Sequence, residues 1–289
     1  MVPISLVITA PRGRSKCLLP DEILRQADGH SLEIIIADSA ERPAAPDRPG
    51  LRHIFMPNAS VFSLRGAGLA AASKEWIVLI EDHCKPLPGM LEAFRGSIEK
   101  DPDALIITGC VTNETSVTAP QWAHSMYGNR YEYWPAAKVT PRIGSISNMA
   151  MRRSVLDPGE LGMEGGFETI RMPRLARLGR SVHCPEAIVD HVEFHSGLEC
   201  MVSHFHSARS GASFLRKFSL WGAQPAVKIM GAFVNRTLIV PVRVMRRVRR
   251  VSSLSWSIFP WLTLIGFSSA AGFLLGALFG PGNSPRKVE

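Results

Sequence analysis

Three apolar runs near the start of the chain show almost no polar alternation, and each stops abruptly at polar residues or a turn. Ile4–Thr9 ends at Pro11 and Gly13, Glu33–Ala37 (EIIIA) ends at Asp38, and Trp76–Ile80 ends at Glu81-Asp82-His83. A strand with one wet face alternates; an unbroken run has both faces covered, the condition of a parallel sheet packed between helices. Between these runs, Leu18–Ala27 has helical spacing and a Pro20-Asp21-Glu22 start that favours a first turn. Arg42–Gly50 is a proline-rich loop, Leu51–Met56 reads as a further strand, and Val61–Ser73, rich in Ala and Gly, as a closely packed helix. The pattern predicts an α/β fold with a mainly parallel, open sheet flanked by helices. Ligands of such sheets bind beyond the carboxyl ends of the strands. Thr9, Asp38 and the group at Glu81 are therefore expected to converge on one crevice.

The segment VLIEDHCKPLPG, Val78 to Gly89, carries the most chemistry. Two carboxylates and an imidazole at the end of a buried strand are costly unless they meet something positive. With oxygen and imidazole donors and no thiolate pair, the natural partner is a divalent cation, Mn or Mg, rather than a thiolate-bound zinc. A cation there would screen the phosphates of a nucleotide. The alternative is a strand-end turn with solvated charges.

With 289 residues there is room for one large domain and an appendage. Lys and Arg number 33 against 25 Asp and Glu, a formal net charge of +8, and the excess is unevenly placed. Arg243, Arg246, Arg247, Arg249 and Arg250 crowd together just before an uncharged stretch, Val251–Gly280. That layout fits a membrane surface followed by a membrane interior. No aromatics interleave with the arginines, which argues against nucleic acid. Five cysteines (Cys17, Cys84, Cys110, Cys184, Cys200) lie scattered without CxxC spacing, pointing to a reducing compartment and away from a disulfide framework. The apolar start of the chain is too brief for a signal peptide and reads as a first buried strand.

The order of elements resembles the family 2 glycosyltransferases with their GT-A nucleotide-sugar-binding fold. LVITAPRGR is similar to the opening strand and nucleotide-binding turn, placing Thr9 and Ala10 at the donor. EIIIADSA resembles the second strand, whose terminal Asp, here Asp38, faces the nucleoside. LRGAGLAAASKEWIVLIED resembles the Arg-bearing helix and the strand leading into the DxD metal motif. The resemblance assigns Arg65 to the diphosphate, with solvation of its helix as the alternative, and Glu81 and Asp82 to the acidic positions. His83 stands where the usual final Asp would be, which shifts preference away from Mg. SNMAMRRSVL resembles the segment beneath the sugar and places Asn148 there. FETIRMPRLARLGRSVHCPEAIVDH resembles the Glu-Asp helix, Gly, short strand, Pro and closing His. It implies Asp82, His83 and His191 as metal ligands and Glu168 as general base, with Glu164 as the fallback base. Phe167 replaces the usual preceding Glu, and a helix cap is the other reading of Glu168. His195, His204 and His206 near His191 lack a cysteine or carboxylate partner in this reading, which argues against a structural zinc site.

Beyond Ser196 the chain changes character. Gly197–Trp221 has helical spacing, and Ala226–Arg250 is amphipathic enough to lie in a headgroup layer. Pro260 is expected to break the uncharged run, leaving Trp261–Gly280, about the 20 residues that cross a bilayer. Gly272, Gly276 and Gly280 form a small-residue stripe suited to packing another helix, including one of a homo-oligomer. The predicted organisation is a GT-A-like domain over 1–215, basic amphipathic helices over 216–250, a transmembrane or membrane-embedded segment over 251–280 and a polar tail over 281–289. The expected function is transfer of a sugar from a nucleotide-sugar donor to a membrane-associated or cell-envelope glycan or lipid, at the inner membrane with the catalytic domain facing the cytoplasm. The resemblance further implies an inverting, metal-assisted reaction, and the absence of QxxRW implies single-sugar addition. The departures at His83 and Phe167 leave a second reading: a degenerate GT-A domain that binds a nucleotide sugar, or serves as a membrane-tethered scaffold, without catalysis.

Overall fold

The computed structural model describes residues 1–13, 15, 17–40, 49–113, 118–128, 147–157, 180–217, 225–248 and 255–287. It divides into two compact units: Met1–Thr112 with Tyr131–Val192, and Asn113–Arg130 with Glu193–Glu289.

The first unit is built on an eight-stranded sheet. The strands are β1 (Ile4–Ala10), β2 (Leu32–Asp38), β3 (Leu51–Phe55), β4 (Trp76–Glu81), β5 (Cys84–Pro86), β6 (Ile106–Thr112), β7 (Asn148–Arg152) and β8 (Ser181–His191). They lie in the order β3-β2-β1-β4-β7-β6-β8-β5. The apolar runs form the parallel half, β3 through β4, and the sheet becomes mixed where β7 inserts antiparallel between β4 and β6. In-register pairing sets Ala10 beside Asp38 and Thr9 beside Glu81, so these four residues share the carboxyl edge.

Successive side chains of a strand point to opposite faces. Accordingly Leu6, Ile8, Ile34, Ile36, Val78 and Ile80 pack on one side with Leu91, Phe94 and Ile98 of helix α3 (Met90–Lys100), joined by Ile23 and Leu24 of α1 (Asp21–Gln26). Val7, Ile35, Ile77 and Leu79 pack on the other with Leu69 of α2 (Val61–Ala71). Full burial of each large aliphatic side chain contributes about 1.5–3 kcal/mol, which makes this two-sided core the main stabilising term. Ser60 caps α2 by accepting a hydrogen bond from the Ser63 N–H at 3.2 Å. A Cβ on Gly68 would stand 2.5 Å from Val7 Cγ1, so the expected close packing of this helix is met where α2 crosses β1.

The second unit is helical: α4 (Ala119–Gly128), α5 (Gly197–Lys217), α6 (Pro225–Val234), α7 (Val240–Val248) and α8 (Ser255–Phe279) among the described residues. A π-helical turn, Asn235–Ile239, joins α6 to α7. The Arg236 carbonyl in that turn accepts a hydrogen bond from the Tyr127 hydroxyl at 3.2 Å. Pro260 does not break the apolar run; it sits inside α8. Near the first turn proline forfeits a single bond, the one its N–H would have made to the Trp256 carbonyl, and the helix tolerates that. Gly272 and Gly276 of the glycine stripe pack α5 of the same chain, while Gly280 follows the end of α8 and a Cβ there would meet nothing within 4 Å. Cβ atoms on Gly272 and Gly276 would lie 2.1 and 2.2 Å from the carbonyl oxygens of Phe205 and Arg209. The matched four-residue steps show that α5 and α8 run parallel, with their backbones nearly touching.

Candidate active site

At the carboxyl edge of β4 the chain turns sharply. The Asp82 N–H donates to the Thr9 carbonyl at 3.0 Å, and the Asp82 carbonyl accepts from the Leu18 N–H at 2.9 Å. The turn leads into β5, whose Cys84 pairs with His191 on β8. That register brings together two imidazoles distant in sequence: His83 Nε2 lies 3.0 Å from His191 Nε2, with the rings edge to face. Glu81 Oε2 stands 3.7 Å from His83 Nε2.

The surroundings hold Glu81 in place. Its other oxygen, Oε1, is 3.3 Å from Arg65 Nη2, and Ser147 Oγ donates to Oε2 at 2.9 Å. Arg65 is only 3 % exposed, so it reaches the carboxylate from inside the unit rather than solvating its helix. Burial lowers its pKa to about 10, with Glu81 working the other way, and at neutral pH the guanidinium remains charged. Burial opposes ionisation of Glu81, yet His83, Arg65 and His191 outweigh it and hold the carboxyl below its ordinary value. Burial likewise opposes a charge on His83, but its hydrogen bond to Asp82 and the charges of Glu81 and Asp82 raise its pKa.

Asp82 is held differently. Arg12 grips it with two nitrogens, Nη2 to Oδ1 at 2.9 Å and Nε to Oδ2 at 3.3 Å, and His83 Nδ1 lies 2.9 Å from Oδ1. Burial disfavours its charge, and the His83 hydrogen bond and Arg12 reverse that, so Asp82 also sits below the usual carboxylate range.

The residues able to hold a cation are therefore Glu81, His83 and His191, whose ligand atoms, with Cys84 Sγ, all lie within 4.8 Å of one another. Burial, and then Glu81, pushes the Cys84 thiol well above its ordinary pKa, so it stays protonated. One carboxylate and two imidazoles remain. Two donors about 2.1 Å from one ion and at right angles stand roughly 3.0 Å apart, which is the His83–His191 spacing. The donor set fits a divalent cation. The expected trio of Asp82, His83 and His191 thus appears with the two histidines together and Glu81 beside the Nε2 of His83, while Asp82 is held by Arg12 and the Nδ1 side of His83.

Asp38 lies at the same edge. Its Oδ1 accepts from the Ala40 N–H at 2.7 Å, and its Oδ2 is 3.2 Å from His53 Nε2. Asn148 is buried between strands, its amide nitrogen donating to the carbonyls of Cys110 and Ala187, each at 2.8 Å. It ties β7 to β6 and β8. Glu164, Phe167 and Glu168 lie outside the described residues. Arg12, Ser147 and His53 were not singled out in the sequence. Each meets its carboxylate across 15 to 70 residues of chain, although Arg12 lies within LVITAPRGR and Ser147 opens SNMAMRRSVL.

A doubly covered sheet with an acidic and imidazole group at its carboxyl edge is the arrangement expected of a GT-A-like fold, and the mannosyltransferase structure below shares that fold. Residues 20–159 match the family model described as Glycosyl transferase family 2, and the chain carries a family 2 glycosyltransferase domain. No curated protein matches the sequence. Among solved structures, the chain is similar to the mannosyltransferase PcManGT from Pyrobaculum calidifontis in complex with GDP-Man and Mn2+. That match has 15 % identity and a TM-score of 0.52, covering 96 % of this chain and 88 % of that one. Another match is glucosyl-3-phosphoglycerate synthase from Mycobacterium tuberculosis in complex with Mn2+, UDP and glucosyl-3-phosphoglycerate. It has 16 % identity and a TM-score of 0.45 over 75 % of this chain and 79 % of that one.

Proposed function

We propose that this glycosyltransferase moves a single sugar, with inversion, from a nucleotide-sugar donor to a membrane-associated or cell-envelope glycan or lipid. The grouping of Glu81, His83 and His191 at the carboxyl edge of the sheet carries this reading, because it offers a divalent cation where a diphosphate would lie. A bound cation supplies Lewis-acid stabilisation of the charge that grows on the leaving phosphate. The protein's own residues do the rest. Thr9 and Ala10 border the nucleotide, and Asp38, braced by His53 and the Ala40 amide, accepts from the nucleoside. Arg65 keeps Glu81 ionised and oriented, while Arg12 fixes the turn through Asp82. Glu168 serves as the base that takes the acceptor hydroxyl proton, with Glu164 as the fallback.

The membrane part of the proposal draws on the helical unit. Helix α8 has the length and apolarity of a membrane span over Trp256–Phe279. Trp256 and Phe279 are 70 and 73 % exposed, and Val227, Met230 and Leu238 on the preceding helices also face outward. Exposed apolar surface of this extent marks a contact with lipid or protein. With the arginines ahead of α8, the reading is attachment to the inner membrane with the catalytic domain on the cytoplasmic side.

A thermal-shift panel of GDP- and UDP-sugars, with and without Mn, on the detergent-solubilised full chain tests the donor site. A ligand at one hundred times its Kd stabilises by about 2.7 kcal/mol. One nucleotide class should raise Tm only with the cation present, and the shift should vanish in Glu81→Gln and His191→Ala. Glu168→Gln should keep the shift and lose turnover. No response to any nucleotide sugar would overturn the donor site, and turnover retained in Glu168→Gln would remove that residue as the base.

A further inference from the structure

Four histidines crowd the sequence from 191 to 206, and the fold sorts them. His191 goes to His83. His206 Nδ1 lies 2.9 Å from Ser284 Oγ. In the helical unit His195 joins His124 at a carboxylate, and His204 packs against the His124 ring. Glu193, leaving β8, buries its side chain to 1 % exposure, and His124 of α4 brings Nε2 to 3.5 Å from Glu193 Oε2. His195 Nδ1 lies 2.6 Å from the other oxygen, Oε1. The His124 ring stacks on His195 with centroids 4.9 Å apart and meets the His204 ring at 4.6 Å. The ligand atoms of His124, Glu193 and His195 all lie within 4.8 Å of one another.

A divalent cation suits this grouping, since it takes lone pairs from neutral imidazoles while the carboxylate supplies charge. Two histidines and one carboxylate are a recurrent donor set for zinc and its neighbours. Two donors about 2.1 Å from a tetrahedral ion stand roughly 3.4 Å apart. The 3.5 Å between His124 and Glu193 matches that edge. The shorter His195 contact is a hydrogen bond, which a bound ion would have to open to the same length. Cys200, one turn before His204 on α5, is no competitor. Its Sγ points to the carbonyls of Pro120 and His195, and burial together with Glu193 pushes its pKa up to about 12.

We infer that His124, Glu193 and His195 form a second divalent-cation site of the zinc class, which fastens α4 to the segment between β8 and α5. It is independent of the donor reading. The test is zinc content of the full chain, stripped with chelator, reloaded with zinc and gel-filtered. Wild type and His83→Ala should both retain one equivalent at this site, while Glu193→Gln and His195→Ala should each lose it. Glu193→Asp keeps the charge but shortens the reach, and should weaken zinc binding at least tenfold if Glu193→Gln does not fold. Cobalt loaded in place of zinc should give the visible bands of a tetrahedral site in wild type and in His83→Ala. A wild type that retains no zinc overturns the inference. So does zinc that survives in Glu193→Gln and His195→Ala but is lost in His83→Ala.

Discussion

The sheet unit and the helical unit handle apolar side chains in opposite ways. In the sheet unit β1 and β2 are buried along their whole length. In the helical unit one side of α8 is packed, through Ile258, Leu262, Ile265 and Phe273, while Phe267 and Leu278 on its other side stay exposed. Both units bring backbones close by using glycine, but the atoms approached differ. Gly68 meets a valine methyl, whereas Gly272 and Gly276 meet backbone carbonyls. The sheet unit therefore spends its hydrophobicity inward, on a site at its edge, and the helical unit keeps part of its own turned outward.

Breaking the inward side should have the largest effect. Phe94 is fully buried beneath the sheet, and Phe94→Ala should cost about 3–5 kcal/mol in chemical denaturation. A cost near zero would mean that α3 is not part of this core. Next come the glycines. Gly276→Ala should cost about 1–3 kcal/mol, as overpacking does, and more than Gly68→Ala, because a carbonyl on a neighbouring helix yields less than a valine methyl. The reverse order would show that α5 and α8 separate easily.

A smaller, pH-dependent effect belongs to Glu33. It accepts hydrogen bonds from Ser5 Oγ at 2.6 Å and from the Ser73 N–H and Oγ at 2.9 and 3.1 Å. Burial works against its charge, yet these bonds and Lys74 hold the folded carboxyl below its ordinary pKa. Its contribution is full above the unfolded carboxylate pKa and is lost as pH falls through the lower folded value. Wild type should thus lose stability in acid more steeply than Glu33→Gln, and parallel acid curves would exclude the network. The smallest expected effect is outward. Trp256→Ser should shift stability in detergent by no more than about 0.5 kcal/mol, while reducing recovery of the protein on vesicles. An unchanged vesicle fraction would separate Trp256 from any lipid contact.

The same contrast governs what the sequence discloses. Glu33–Ala37 is legible as a strand because two covered faces leave no polar residue to interrupt it, and Asp38 marks its end. Val61–Ala71 is legible because its small residues permit close approach. The antiparallel insertion of β7 is not, since Asn148–Arg152 carries no local mark of which strands it joins. At the site, Glu81 and His83 announce themselves through the cost of polar groups at a strand end, and His191 through its family segment. Arg12 is invisible as the partner of Asp82 because seventy residues separate them. The histidines near 191 mislead when read as one group. Chain proximity pairs them with each other, whereas the fold sends His191 to β5 and leaves His195 with His124. Glu193 lay between them in the sequence, but its burial against α4 depends on a helix from far earlier in the chain.

The pairing of Ile106 with Ser181 has a consequence for how the protein is made. Strand β6 reaches its parallel neighbour only after the intervening chain has been synthesised. Closing so long a loop costs entropy before any ladder bond repays it, so sheets with such separated partners fold slowly. On a ribosome, β1 to β4 can assemble as soon as residue 81 emerges, but β6 must keep one edge open until β8 arrives. That open edge is a template for any other extended chain. A nascent chain stalled before β8 is therefore exposed to aggregation along this edge, well before its apolar helix leaves the exit tunnel.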